Sequence, residues 1–163
     1  MTLIFVLKYR LLYVKRLKKH DRDLFEHVGG TFQQFARREE GGGGGGTEDR
    51  YIAELLEDCV LHLFVGHFSI ETCCFVWDQC LMLGSFERLV PNFAIAMLIL
   101  LREHLLKATT PEQIQRVLVT EARTLSAKRL SALSERLFMG EMRNELGISK
   151  KILAYFGRYY FSF

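Results

Sequence analysis

Residues 59–106 place three apolar segments in close succession, interrupted by Gly66 and Gly84. No fold of this chain can leave so much contiguous apolar surface in water. The spacing decides how it is buried. Ile52, Leu55, Leu56, Cys59, Val60, Leu63 and Phe64 recur at intervals of three and four, which predicts a helix from an N-cap at Thr47 to about residue 65. Ser69, followed by Glu71 and Thr72, opens a second helix over 70–83, with Phe75, Val76, Cys80 and Leu81 around the single tryptophan, Trp77. Gly84 fits the left-handed position that ends such a helix. A third helix, over 93–106 with Pro91 near its start, is apolar nearly all round and so reads as a central helix covered by its neighbours. Its uncharged stretch, 89–101, is shorter than the roughly 20 residues that a membrane-spanning helix needs.

The flanks extend the helical pattern. Residues 3–22 predict a basic amphipathic helix with Leu3, Val6, Leu7, Leu11, Val14 and Leu17 on its apolar side. Residues 24–36 predict another, which Gly29-Gly30 should break or bend. Gly41 to Gly46 form a six-glycine linker, able to span on the order of 13 Å and followed by no phosphate-binding lysine. Thr110-Pro111-Glu112 and Ser126 mark two later helix starts, the second with Lys128, Arg129 and Arg136 facing outwards. Residues 149–163 form an aromatic segment, either a docked helix or an interaction surface. With no strand alternation anywhere, the expected class is all-α. It divides into a basic segment at 1–40, the linker at 41–46, a helical core at 47–140 and an aromatic segment at 141–163.

Little in the composition points to chemistry. Cys59, Cys73, Cys74 and Cys80 lie in apolar helical pattern and form no CxxC pair, which argues for free thiols in a reducing compartment. His62 and His67 are separated by five positions and lack a metalloprotease context, so neither a metal nor a cofactor is expected. The net charge of +3 is unevenly placed, with Lys8, Arg10, Lys15, Arg16, Lys18 and Lys19 among the first twenty residues. That asymmetry leaves open a solvated helix face, or a contact through Lys15, Arg16, Lys18 and Lys19 with an acidic partner or a peripheral membrane surface. No nucleic-acid motif is seen. The order of apolar and basic residues at the N-terminus is the reverse of a signal peptide, so an intracellular location is expected, cytoplasmic or peripheral to endomembranes.

The central block resembles the TBC domain, the helical module of Rab GTPase-activating proteins. The resemblance rests on Leu61-His62-Leu63-Phe64, Phe68-Ser69-Ile70-Glu71, Val76-Trp77-Asp78 with Gly84, and Phe93-Ala94-Ile95-Ala96-Met97-Leu98, all in the family's order. Asp23-Leu24-Phe25-Glu26-His27-Val28 resembles the stretch that precedes this half of the domain, so about residues 20 to 140 are covered. The resemblance implies orthogonally packed helices and, as partner, a Rab-type GTPase in vesicle traffic. It also implies two catalytic side chains, an arginine in IxxDxxR and a glutamine in YxQ, of which the arginine alone contributes about 10³ to 10⁵ in rate. Neither motif occurs; Phe32-Gln33-Gln34 is the nearest approach to the second. No catalytic residue is carried over.

The chain therefore reads as a TBC-like C-terminal half that is not itself an enzyme and acts through protein binding. The alternatives are a helical scaffold using its aromatic segment, and a fragment of a longer, active protein. Trp77, Asp78 and Gly84 are expected to be structural, and a half-domain with exposed apolar surface could oligomerise.

Overall fold

The computed structural model describes residues 12–39 and 47–146, and within them every regular element is helical. Eight α-helices follow one another: α1 at 12–20, α2 Arg22–Glu39, α3 Glu48–Leu61, α4 Ile70–Met82, α5 Phe86–Leu100, α6 Arg102–Lys107, α7 Pro111–Thr120 and α8 Ala127–Leu146, with one 3-10 turn at Ala122–Thr124. The N-terminal part of the basic helix, the glycine linker and the aromatic segment at 149–163 lie outside the described residues. No helix among those described is long and apolar enough to cross a membrane.

The architecture is centred on α5. Every residue from Leu89 to Leu98 is buried, and α3, α4, α6 and α8 all pack against the helix. A helix that is apolar on all sides can be stable only when it is clothed on all sides. It starts at Phe86, so Pro91 lies within it rather than near its first turn. Proline cannot donate to the carbonyl four residues back, at Glu87, which costs about 3 kcal/mol in an ordinary helix interior. Burial of Leu89 and Val90 in the extra turn offsets that loss, at roughly 1.5–3 kcal/mol for each large apolar side chain. At the other end the helix stops at Leu100, and α6 restarts after Leu101.

A second layer pairs α2 with α3, α6 and α7. Gly29-Gly30 does not break α2, which runs unbroken through both. The reason is tertiary. A Cβ placed on Gly29 would lie 2.7 Å from Glu48 Cβ and 3.2 Å from Glu48 Cα, so the glycine is where α3 crosses α2. At Gly30 the same atom would meet open space. Asp21 caps α2 by accepting from the Leu24 amide at 3.0 Å, and its other oxygen takes a hydrogen bond from Arg102 Nε at 2.7 Å, joining α2 to α6. His27 Nε2 donates to the Ala108 carbonyl at 2.9 Å, at the entry to α7.

Caps expected from the sequence form as local chemistry requires. Ser69 Oγ accepts from the Thr72 amide at 3.3 Å, Thr110 Oγ1 from the Gln113 amide at 3.3 Å, and Ser126 Oγ from the Arg129 amide at 3.4 Å. Gly84 has φ of +62°, with the Ser85 amide donating back to Cys80 at 3.2 Å. Thr47 also precedes α3, but its side chain makes no capping bond.

The two glycines of α2 should respond in opposite directions. Gly30→Ala is expected to raise stability by about 0.5–1 kcal/mol through reduced unfolded-chain entropy. Gly29→Ala is expected to lower it by about 1–3 kcal/mol, because the crossing is already at contact. Urea unfolding of both variants checks this, and equal stabilisation by the two would contradict the close approach.

Candidate functional site

The segment that carries the family resemblance folds around an unusual turn. The helix before it ends at Leu61 rather than near residue 65, because Leu63 and Phe64 adopt φ of +47° and +66°. Left-handed backbone costs a residue with a side chain about 1–2 kcal/mol, so two in succession need compensation. Three groups supply it. Phe64 is fully buried and stacks on Phe68 with ring centroids 4.8 Å apart. Its amide donates to the Cys59 carbonyl at 2.7 Å, and its carbonyl receives Cys73 Sγ at 3.4 Å. The Leu63 carbonyl accepts from Trp77 Nε1 at 2.9 Å. The half-buried indole of α4 thus holds the turn after α3.

Trp77 is an anchor in this geometry, since its one polar atom is committed to the backbone. Gly84 closes the same helix. Asp78 is half-buried beside the indole. On the far side of α4, Thr72 Oγ1 donates to the Leu125 carbonyl at 2.9 Å and fixes the approach to α8.

The basic residues of α1 do not form one exposed face. Lys15, Lys18 and Lys19 are exposed, but Arg16 is only 7% exposed and points inward. Its guanidinium donates to the Asn92 side-chain carbonyl of α5 and lies 5.6 Å from the Phe138 ring centroid on α8, where His20 also packs edge-on at 5.1 Å. Arg16 is therefore withdrawn from the expected partner-contact set. Burying a guanidinium in helical pattern where Tyr13, Val14 and Leu17 are also buried requires a polar acceptor inside, and Asn92 is that acceptor. Lys18 is engaged within the molecule too, 2.8 Å from Asp49 and 4.5 Å from the Phe25 ring centroid.

Burial keeps the thiols of Cys59, Cys73 and Cys80 protonated. It pushes Cys59 up to about 12, with help from neighbouring Asp58, and Cys80 up to about 12; Cys73 is raised for the same reason. A thiol held protonated is neither nucleophile nor metal ligand. Among the described residues no group of three histidine, cysteine or acidic side chains could hold a metal ion. His67 is buried with Nε2 3.8 Å from Asp58 Oδ2, and Nδ1 has no hydrogen-bond partner. Desolvation lowers its proton affinity, opposed by Asp58 and reinforced by His62 and Arg123.

Sequence reasoning missed the long-range ties, Asp21 to Arg102 and Thr72 to Leu125, because their partners are far apart along the chain. It also missed a groove of about 430 Å³ between α8 and the junction of α5 and α6. Comparison with known proteins places no relative beside this chain: no family model matches it, and neither a curated protein nor a solved structure does.

Two outcomes follow from this geometry. Trp77→Phe keeps the aromatic bulk but leaves the Leu63 carbonyl without its donor, and should cost about 1–2 kcal/mol in denaturant unfolding. For His67 the unfolded chain binds the proton more readily than the folded one. Its contribution to stability is therefore present above the ordinary imidazole value of about 6.5 and is lost as pH falls below it. His67→Gln should flatten the decline in unfolding midpoint between about pH 7 and about pH 5.

Proposed function

We propose that this chain is a non-catalytic helical protein-binding module of the Rab GTPase-activating lineage, and that its partner is a Rab-type small GTPase. The lineage is supported by the motif order from Leu61 to Leu98, which folds as helix, turn, helix, turn, helix, with Trp77 and Gly84 in structural roles. Orthogonal packing of those helices belongs to the same proposal.

One observation carries the binding reading. The solvent face of α4 carries large apolar side chains beside exposed Glu71 and half-buried Asp78. Ile70 is 75% and Leu81 66% exposed, with exposed Cys74 between them and Met82 beside Leu81. The preceding turn adds Val65, which is also exposed. Isolated apolar residues on a surface need no explanation, but a row along one helix face marks a place where another protein can displace water. Binding without catalysis follows from the residues available: neither finger motif is in this sequence, and electrostatic stabilisation of the transferring phosphoryl group requires a guanidinium delivered to it.

The purified chain, titrated against a panel of Rab GTPases loaded with GDP or a non-hydrolysable GTP analogue, should bind at least one of them. Ile70→Asp combined with Leu81→Asp should weaken that binding by about tenfold or more, since each replaces buried apolar contact with a desolvated charge. GTP hydrolysis should stay at the intrinsic rate throughout. Acceleration above that rate would overturn the non-catalytic assignment, and failure to bind any member of the panel would remove the GTPase partner.

A further inference from the structure

We propose that the groove between α8 and the junction of α5 and α6 is a docking site for an acidic amphipathic helix of a partner protein. The site rests on α8 and depends on neither the family resemblance nor the apolar face of α4, so a failure of Rab binding leaves it standing.

One wall of the groove is α8, which contributes Arg129, Leu133 and Arg136; the facing wall contributes Ile99, Leu101 and Glu103. Leu101 and Leu133 are buried along the floor, and both arginines are exposed at the rim. Arg129 and Arg136 are two helical turns apart, about 10.5 Å along the axis, on one face and with Leu133 between them. The pattern is cation, apolar, cation.

These two arginines share one groove and neither is paired with a counter-charge in it. By contrast Arg22 and Arg50 are each neutralised one turn along, by Glu26 and Glu54, each at 2.7 Å. Around Arg129 and Arg136 the positions three and four away are Leu125, Ser126, Ala132, Leu133, Met139 and Gly140. No acid can reach either from its own helix. Arg102, the third guanidinium at the groove, is already taken by Asp21 at 2.7 Å. Among the described residues neither Arg129 nor Arg136 forms an ion pair.

The shape and charge select the occupant. A helix with glutamates two turns apart and leucines between them would place its acids on Arg129 and Arg136 and its apolar stripe over half-buried Ile99, above the floor formed by Leu101 and Leu133. A flat lipid surface would meet the rim arginines without using the apolar residues between the walls. A nucleic acid would bring a phosphate against Glu103 on the opposite wall, whereas a helix can present a neutral or basic residue there.

The test uses the full chain and a fluorescein-labelled synthetic helix of that design, read by anisotropy. Saturable binding is expected, weakened by added salt. R129E combined with R136E should lower the affinity by about tenfold or more, while R116E, on the exposed side of α7, should leave it unchanged. A companion peptide with lysines in place of the glutamates should bind the R129E/R136E protein better than the unaltered one. Circular dichroism verifies that each variant is folded, and R129Q with R136Q replaces the reversal if the latter is not. The proposal is overturned by absence of saturable binding or by equal affinity for the double variant. It is equally overturned if a scrambled peptide of the same composition, phosphatidylserine vesicles or a single-stranded oligonucleotide binds with the same dependence on Arg129 and Arg136.

Discussion

The structure depends on the need to cover α5. From Leu89 to Leu98 this helix presents no face that water could wet, so the neighbouring helices act as its solvent. That demand explains features that look unfavourable locally. Pro91 is retained inside the helix because the turn before it buries Leu89 and Val90. Asn92, the one strongly polar side chain in this stretch, sits beneath α1 and accepts from Arg16 rather than facing an apolar neighbour. A buried amide oriented by a buried guanidinium also specifies which helix lies over that part of α5, a selectivity that leucine packing alone does not provide.

The same demand separates what was legible in the sequence from what was not. Ser69, Thr110, Ser126 and Gly84 act within their own turns, and their roles could be read from a few neighbouring residues. The class of fold was legible for a related reason: three-and-four spacing is a property of a single helix. Gly29, Pro91 and Arg16 behave against their local reading because each responds to a segment far along the chain. Gly29 is set by the crossing of Glu48, Pro91 by the core around α5, and Arg16 by Asn92 and Phe138. Amphipathic pattern placed Arg16 on a basic face with Lys15, Lys18 and Lys19. It could not show that an acceptor waited on the apolar side.

The Trp77 region shows how a motif can be conspicuous and yet structural. Two consecutive left-handed residues with side chains are costly, and the indole donor, the buried Phe64 ring and the Cys59 carbonyl together hold them. Burial of one phenylalanine, at roughly 1.5–3 kcal/mol, is comparable with the strain of the turn, and the Trp77 hydrogen bond adds about 1 kcal/mol more. Together the two are of the same size as the strain. Replacing the end of α3 by this turn redirects the chain into α4, so the apolar stripe of α4 that faces inward and the apolar row that faces outward are fixed by one geometry. The candidate site was visible in the sequence as a motif, but its outward face was not, because Ile70 and Leu81 look like any other core leucine or isoleucine in a helical pattern.

Surface charge completes the division between scaffold and contact. Where a charged residue has a structural task, its partner is near: Asp21 with Arg102, Lys18 with Asp49, Arg22 with Glu26. Those pairs satisfy each other and present little field to a visitor. Arg129 and Arg136 stand on a helix whose inner face, through Leu130, Leu133 and Phe138, is fixed against α5 and the Arg16 cluster. Their backbone positions are thus as rigid as the core, while their guanidinium groups remain solvated. Fixed backbone placement matters because a partner that meets two cations at a two-turn spacing has only their side chains left to order, and the entropy cost of association is lower than for cations on a loop. The helix that covers the core is in this way also the element best able to present an ordered charge pattern outside it.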